Sequence, residues 1–320
     1  MQTSLLSSGS MPPTTDQPAS GRTVAVLGAG YVGLTTAAGF SHLGHRVRVG
    51  EADPDRLAFL QGGGIPITEP GIDELIETGV ATGRLTFHGD NRDAVAGVDV
   101  VFVAVPTPEG PGGAVDLSAV AGALGSVGDR LDPAAPVVIK SSVPPGSSVI
   151  IRRMMAEAGI GGPLVINPEF LQEGRAVEGI LHPYRVVIGG DDAAAVALVS
   201  DLHEPLGAPI IRTDAASAEL IKYAANAYLA TRITFVNSMA HLAEDVGADV
   251  KVVLDGLSYD PRIGGHYLRP GPGYGGSCFP KDVRALVRAA NAHGPDLAIL
   301  RTVVKANDAQ VDRVVGKLRS

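Results

Sequence analysis

Residues 23–51 read TVAVLGAGYVGLTTAAGFSHLGHRVRVGE, and this stretch decides the fold. TVAVL is a short apolar run that stops on glycine. From Tyr31 to about Leu43 apolar residues recur at helical spacing. HRVRVGE then alternates, as a half-buried strand does. Inside this strand–helix–strand pattern, GAGYVG (Gly28 to Gly33) matches G-x-G-x-x-G in the setting its mechanism needs. Gly28 permits the tight turn, Gly30 lets the backbone approach a pyrophosphate, and Gly33 lets the helix pack closely on the sheet. The helix N-terminus behind them favours negative charge. Glu51 closes the second strand, 23 residues after Gly28. A carboxylate there accepts hydrogen bonds from both ribose hydroxyls of NAD and repels the 2′-phosphate of NADP, so NAD is the expected cofactor. Asp53 competes with Glu51 for that role, and Arg56 falls on the next helix.

The rhythm continues outward. VDVVFVAV (98–105), PVVIK (136–140), LVIN (164–167), YRVVIGG (184–190) and APIIR (208–212) read as strands, with helical patterns at 116–128, 146–158 and 192–202. Near-continuous apolar strands alternating with helices predict an α/β fold: a Rossmann-type, doubly wound, mostly parallel sheet over residues 21–212. Residues 1–20 are Ser/Thr/Pro-rich and lack the basic start and apolar core of a secretory signal, so they read as a disordered tail. From Ala215 to Val246 there is no Gly or Pro. Leu220, Ala224, Ala227, Thr231, Phe235, Met239, Leu242 and Val246 form one stripe at helical spacing. A helix this long serves as a spine, and its apolar stripe needs a partner, so a homodimer through it is expected. Further helical patterns at 249–256, 281–291 and 296–317 complete an all-helical dimerisation region, residues 213–320.

Composition narrows the function. A net charge of −8 argues against nucleic-acid and anionic-membrane partners. A single cysteine makes no internal disulfide, which fits a reducing, cytoplasmic setting. None of the 8 histidines forms a metal-ligand pattern, so no metal site is expected.

Three loops follow predicted strands at their C-terminal ends: VPTP (105–108), KSSVPPG (140–146) and NPEFLQEG (167–174). Ligands of open α/β sheets bind at that edge. Glu169 and Glu173 point the same way if their segment is helical, though spacing alone favours two solvated acids in a first turn. Lys222 and Asn226 lie off the apolar stripe of the long helix, either as a solvated edge or as a donor pair aimed into the crevice. Cys278 sits in GPGYGGSCFPKD (271–282). A lone cysteine is ordinarily a small buried hydrophobe. A polar, glycine-rich loop tilts the reading towards chemistry. A thiolate can add to an aldehyde, and the thiohemiacetal can then be oxidised to a thioester and hydrolysed to an acid. Loop N–H groups would steady an oxyanion, and Lys281 would favour the thiolate.

Taken together, GAGYVG, GIPITEPGIDEL (64–75), VPTP, KSSVPPG, NPEFLQEG, HPYRVVIGG, AELIKYAANAYLATRITFVN and GPGYGGSCFPKD resemble, in order, the blocks of the nucleotide-sugar 6-dehydrogenases. This is the UDP-glucose/GDP-mannose dehydrogenase family, and the likeness is nearest to its UDP-glucose branch. It runs from residue 23 to about 318. It implies oxidation of the sugar C6 alcohol to a carboxylate with two NAD⁺ in succession. It implies Cys278 as nucleophile, Lys222 and Asn226 in the active site with Lys222 steadying oxyanion character, and Asp282 assisting proton transfer with Thr107 holding a water. Glu169 would help hydrolyse the thioester. Glu169, Phe170, Leu171, Gln172 and Glu173 match the segment that contacts sugar and cofactor. Tyr267, Leu268, Arg269, Pro270, Gly271 and Gly275 match the loop that grips the nucleotide-sugar, and Arg262 a residue reaching the substrate across the dimer. Gly28, Gly30, Tyr31, Val32, Gly33, Glu51, Arg56, Thr107, Ser142, Glu173 and Lys281 match cofactor-contacting positions.

The sequence departs from the family pattern at Glu51, where Asp is usual, at Gln172 and at Ser142. The family also continues into a third α/β domain, whereas this chain stops at Ser320. The expectation is an incomplete UDP half-site that turns over poorly. Rival readings are the same chemistry on GDP-mannose or UDP-N-acetylmannosamine, a two-electron 3-hydroxyacid-type dehydrogenase, and a non-catalytic NAD-binding and dimerisation fragment.

Overall fold

The protein is described here by a computed structural model covering residues 21–319, so the tail expected over 1–20 lies outside the described residues. The chain begins β1 (Thr23–Leu27), α1 (Tyr31–His42), β2 (Arg46–Gly50), α2 (Pro54–Gln61), α3 (Ile72–Ala81), β3 (Leu85–His88), α4 (Asn91–Ala94) and β4 (Val100–Val103). It continues α5 (Ser118–Val127), β5 (Val137–Ile139), α6 (Ser147–Glu157), β6 (Leu164–Ile166), α7 (Ala176–Leu181), β7 (Val186–Gly190), α8 (Ala193–His203) and β8 (Ile210–Thr213). Four helices close it: α9 (Ala215–Val246), α10 (Val250–Ser258), α11 (Phe279–His293) and α12 (Ala298–Arg319).

The eight strands form one sheet in the order β3-β2-β1-β4-β5-β6-β7-β8. Neighbours run parallel except β6 and β7, which are antiparallel. Successive strand residues face opposite sides of a sheet. Val24, Val26, Val100 and Phe102 pack on one side with α1 and α3, while Ala25, Leu27, Val101 and Val103 pack on the other with α5 and α6. Both faces are therefore dry, which is why these strands read as unbroken apolar runs. β3 and α3 escaped the sequence reading. β3 is a short edge strand, RLTFH in its sequence setting, with only Leu85 fully buried. Strand order runs outward in opposite directions from β1 and β4, so a crevice opens beyond their C-terminal ends.

The spine helix α9 spans 32 residues, roughly 48 Å at the helical rise. Asp214 caps its start by accepting from Ser217 N at 2.8 Å, and Gly247, at φ 71°, ends it in the left-handed conformation. The two sides of α9 differ in burial. Lys222 and Asn226 lie on its buried face, whereas Leu220, Phe235, Leu242 and Val246 lie on its exposed face. Ala227, from the apolar stripe, and Ala230 are also buried, and their small side chains let α11 and α12 approach and pack Val283, Leu286, Leu300 and Val303 around Tyr223.

Candidate active site

The glycine turn after β1 is shaped for a ligand that must come close. Gly28 has φ 102°, and a Cβ there would meet Ala104 O at 2.7 Å. A Cβ on Gly33 would meet Gly28 O at 1.9 Å, so helix and turn touch through bare backbone. A Cβ on Gly30 would meet nothing within 4 Å, and that open space lies at the N-terminus of α1, where the first turn has no acidic side chain. Glu51 is buried at the end of β2. Its Oε2 accepts from Ala29 N at 3.1 Å and its Oε1 from Asp53 N at 2.8 Å. Asp53 instead caps α2, accepting from Asp55 N and Arg56 N. Of the two carboxylates, Glu51 is the one fixed at the sheet edge. Open backbone at a helix N-terminus beside an anchored carboxylate fits the pyrophosphate and ribose of a dinucleotide. Arg56 stands exposed in the first turn of α2.

Two loops and a helix are gripped by one face of α9. Glu219 accepts from Gly146 N and Ser148 N, each at 2.6 Å, and so holds the β5 loop and the start of α6. One turn on, Lys222 Nζ donates to Glu169 Oε1 at 2.9 Å and holds the β6 loop. A further turn on, Asn226 Nδ2 donates to Asp282 Oδ2 at 2.7 Å and holds α11. Glu169 Oε2 also accepts from Leu171 N at 2.6 Å. Burial opposes the charge on Glu169. The Lys222 ammonium, the Leu171 N–H and nearby Lys140 outweigh it and hold the carboxyl below its ordinary range. Burial likewise opposes the charge on Lys222, but Glu169, Asp282 and Cys278 raise its pKa, so it stays an ammonium. Lys140 is fully buried, donates to Asn167 Oδ1 at 2.9 Å, and is pushed down to about 8 by burial, with Glu169 partly restoring it.

Cys278 is exposed at the N-cap of α11, with Ser277 Oγ 3.5 Å from its sulfur. The loop before it is built to close tolerance. Gly273 has φ 108°, and a Cβ there would strike Asn307 Oδ1 at 2.7 Å; Asn307 bonds both N and O of Tyr274. Behind the thiol, Lys281 Nζ reaches Asp282 Oδ1 at 3.4 Å and Thr107 Oγ1 at 3.3 Å, while Thr107 donates to Ser142 O at 2.9 Å. Thr107, Ser142 and Lys281 are thus brought to one place from three segments.

Other predicted residues fall as follows. The 168–175 segment is irregular, so Glu169 and Glu173 do not share a helical face. Glu169 turns inward to Lys222, and Glu173 lies exposed beside Ser277 Oγ at 3.4 Å. Phe170 stacks under the Arg185 guanidinium, 3.5 Å from the ring centroid, while Gln172 is exposed. Tyr267, at φ 58°, is the one non-glycine residue with positive φ among the described residues, a conformation that costs about 1 kcal/mol or more. Leu268 packs on Val236 and Leu254 of the helical region; Arg269 and Pro270 are exposed, and Gly271 N donates to Asn237 Oδ1. Gly275 is exposed beside them. Arg262 pairs with Asp260 on the surface and makes no contact with the thiol cluster. Val32 is half-buried in the first turn of α1.

Glu69, Glu219 and Lys140 were not singled out from sequence. Glu69 accepts from Tyr31 Oη at 2.6 Å, Gly174 N at 2.6 Å and Ala176 N at 3.0 Å. It therefore ties the dinucleotide turn to the end of the NPEFLQEG loop. Its signal was present in TEPG (68–71), a block with no periodicity to explain its acid.

Fold and site define a Rossmann-type dinucleotide domain joined to a helical region whose exposed thiol lies on a segment that bonds Thr107 and Glu173 of the sheet loops. Residues 22–207 match the NAD binding domain of the UDP-glucose/GDP-mannose dehydrogenase family, and residues 216–309 match its central domain. The chain belongs to that family. It is 41% identical over 298 residues to UDP-glucose 6-dehydrogenase TuaD of Bacillus subtilis, covering 92% of this chain and 65% of that protein. It is 43% identical over 293 residues to UDP-glucose 6-dehydrogenase of Rhizobium meliloti, covering 89% of this chain and 67% of that protein. Among solved structures, a UDP-glucose dehydrogenase from Pyrobaculum islandicum superposes with TM-score 0.87 at 39% identity, covering 90% of this chain and 68% of that one. The chain thus spans about two thirds of the length of the relatives it matches. No helix among the described residues is long and apolar enough to cross a membrane.

Proposed function

We propose that this chain carries the NAD-dependent oxidation of UDP-glucose to UDP-glucuronate through a thioester on Cys278. The observation that carries this reading is an exposed thiol at a helix N-terminus whose charge helps raise the pKa of the buried Lys222 paired with Glu169, on a segment tied to the β4 and β6 loops through Lys281–Thr107 and Ser277–Glu173. NAD⁺ supplies the hydride acceptor for both oxidations. Asp282, held by Asn226 and neighboured by Lys281 and Thr107, takes up the proton released from the C6 alcohol. The Cys278 thiolate then adds to the aldehyde carbon, and Lys222, which stays cationic, stabilises the resulting oxyanion. After the second oxidation the carbon is a thioester. Glu169, which stays ionised, accepts one proton from the attacking water; the carbon–sulfur bond breaks, leaving the thiolate and the carboxylic acid, which gives its proton to solvent to become the carboxylate. Glu51 would orient the adenosine ribose.

A nucleophilic thiol calls for a reducing compartment, which places the reading in the cytoplasm. The exposed Leu220, Phe235, Leu242 and Val246 of α9 support a homodimer through that helix. A division into a cofactor domain and a helical domain near residues 212/213 is supported by the change from β8, which ends at Thr213, to α9, which begins at Ala215.

The test is the ratio of NADH formed to sugar consumed at completion with UDP-glucose. A ratio of two supports the thioester route, and a ratio of one removes it in favour of a two-electron dehydrogenase. Parallel assays with GDP-mannose and UDP-N-acetylmannosamine assign the sugar. NAD binding without turnover on any of the three assigns the chain as a cofactor-binding module.

A further inference from the structure

Between α9 and α12 lies a cavity of about 350 Å³ whose wall includes Asn237, His241, Gln310 and Arg313. Three buried polar atoms of these residues have no hydrogen-bond partner: Gln310 Oε1, His241 Nε2 and Arg313 Nε. Buried polar atoms are nearly always paired, and an orphaned group calls for a missing water or ion. Here three orphans share one cavity.

Their chemistry narrows the solute. Gln310 is only 7% exposed, and its Nε2 donates to Gly271 O at 2.7 Å. That bond fixes the amide orientation and leaves Oε1 as an unmet acceptor. Arg313 Nη2 donates to Glu244 Oε2 at 3.1 Å, which leaves the Nε–H as an unmet, positively charged donor. Glu244 also accepts from Lys317. The solute must therefore accept from a cation and also donate to a neutral carbonyl.

We propose that this cavity is a binding site for a protonated oxyanion of the phosphate class. Ionised oxygens accept from Arg313 Nε–H and from His241 with its proton on Nε2, and the P–O–H donates to Gln310 Oε1. Sulfate at neutral pH has no proton to give. A site built to accept a hydrogen bond rejects an analogue that lacks the donor, so phosphate is preferred over sulfate. Inorganic phosphate keeps a P–O–H at neutral pH, whereas a sugar phosphomonoester, whose second pKa is about 6, is mostly without one, so the free ion is the expected ligand. The site does not depend on the proposed oxidation, because its three defining residues are separate from the thiol cluster.

The test is calorimetric titration of the 320-residue chain at neutral pH with inorganic phosphate, sulfate and glucose 1-phosphate. The expected result is one phosphate site per chain, at least about tenfold tighter than sulfate. Gln310→Met brings phosphate and sulfate affinities together. Arg313→Gln weakens phosphate at least about tenfold, with circular dichroism confirming that the variant is folded. Glucose 1-phosphate, mostly without a P–O–H at neutral pH, is expected to bind more weakly than phosphate, as sulfate does; binding at least as tight as phosphate would show that the P–O–H is not what the site recognises and overturns the proposal. No saturable phosphate binding, equal affinity for sulfate in the unsubstituted chain, or unchanged binding in folded Arg313→Gln overturns the proposal and leaves the cavity to water.

Discussion

Lys222 Nζ lies 2.9 Å from Glu169 Oε1, with the two side chains only 4% and 7% exposed. The pair joins the spine helix to the loop after β6. Removing one member of a buried pair strands the other charge, which costs about 3–5 kcal/mol. Lys222→Met is expected to destabilise the chain by that order in urea unfolding. Lys222→Met combined with Glu169→Gln is expected to recover a substantial part, because the remaining amide carries no charge. Equal destabilisation in the single and double variants would show the pair to be uncoupled. The sign with pH follows from Glu169, whose carboxyl is held below its ordinary value. Its contribution is present above the unfolded carboxylate pKa and is lost as pH falls through the lower folded value.

The glycine turn gives a pair of opposite outcomes. Gly30 has φ −81°, and a Cβ there meets nothing within 4 Å. Gly30→Ala is expected to leave the melting temperature within about 2 °C of the parent while weakening NAD at least tenfold, read by fluorescence titration. Gly33→Ala places a Cβ 1.9 Å from Gly28 O and is expected to lower stability by about 1–3 kcal/mol. Unaltered NAD affinity in Gly30→Ala would mean that the open space is not the pyrophosphate site.

Glu219 satisfies two backbone donors at the start of α6, Gly146 N and Ser148 N. Its own charge is disfavoured by burial, which raises its pKa despite those bonds. Glu219→Ala is expected to cost about 1–2 kcal/mol, as loss of a helix cap does, and to speed hydrogen exchange at residues 146–148 ahead of the rest of the sheet. Exchange rising equally throughout the domain would argue against a local cap.

His203 is buried against Phe40, with ring centroids 5.2 Å apart, and Nδ1 bonds Val199 O. Burial, aided by the Lys140 charge, pushes its pKa down to about 3 from 6.5. The unfolded chain binds this proton first. The stability it supports is therefore intact above 6.5 and is lost as pH falls towards about 3. His203→Phe is expected to move the midpoint of acid unfolding to lower pH, measured by circular dichroism. An unchanged midpoint would place the acid sensitivity elsewhere.

The dinucleotide half of the site was legible because it is local. GAGYVG, the strand before it and Glu51 lie within 29 residues, and their geometry depends on backbone conformation that neighbouring residues specify. The spine helix was legible for the same reason: its Asp214 cap, Gly247 stop and unbroken helical run are all in its own sequence. Glu169 and Glu173 show where this ends. Their spacing is helical, but the segment is irregular, because Lys222 draws Glu169 inward and Glu69 fixes Gly174 and Ala176 from another loop.

The sequence by itself determined the alternation of strands and helices, the open turn at Gly30 and the length of α9, since each rests on short-range sterics and hydrogen bonding. Only the tertiary structure decided that Lys222 and Asn226 are buried rather than solvated, that Glu69 links Tyr31 to the loop after β6, and that Cys278 stands beside an ion pair. Those relations join residues 38 to 107 positions apart, and a burial of charge is favourable only when its distant counter-charge arrives in the same place.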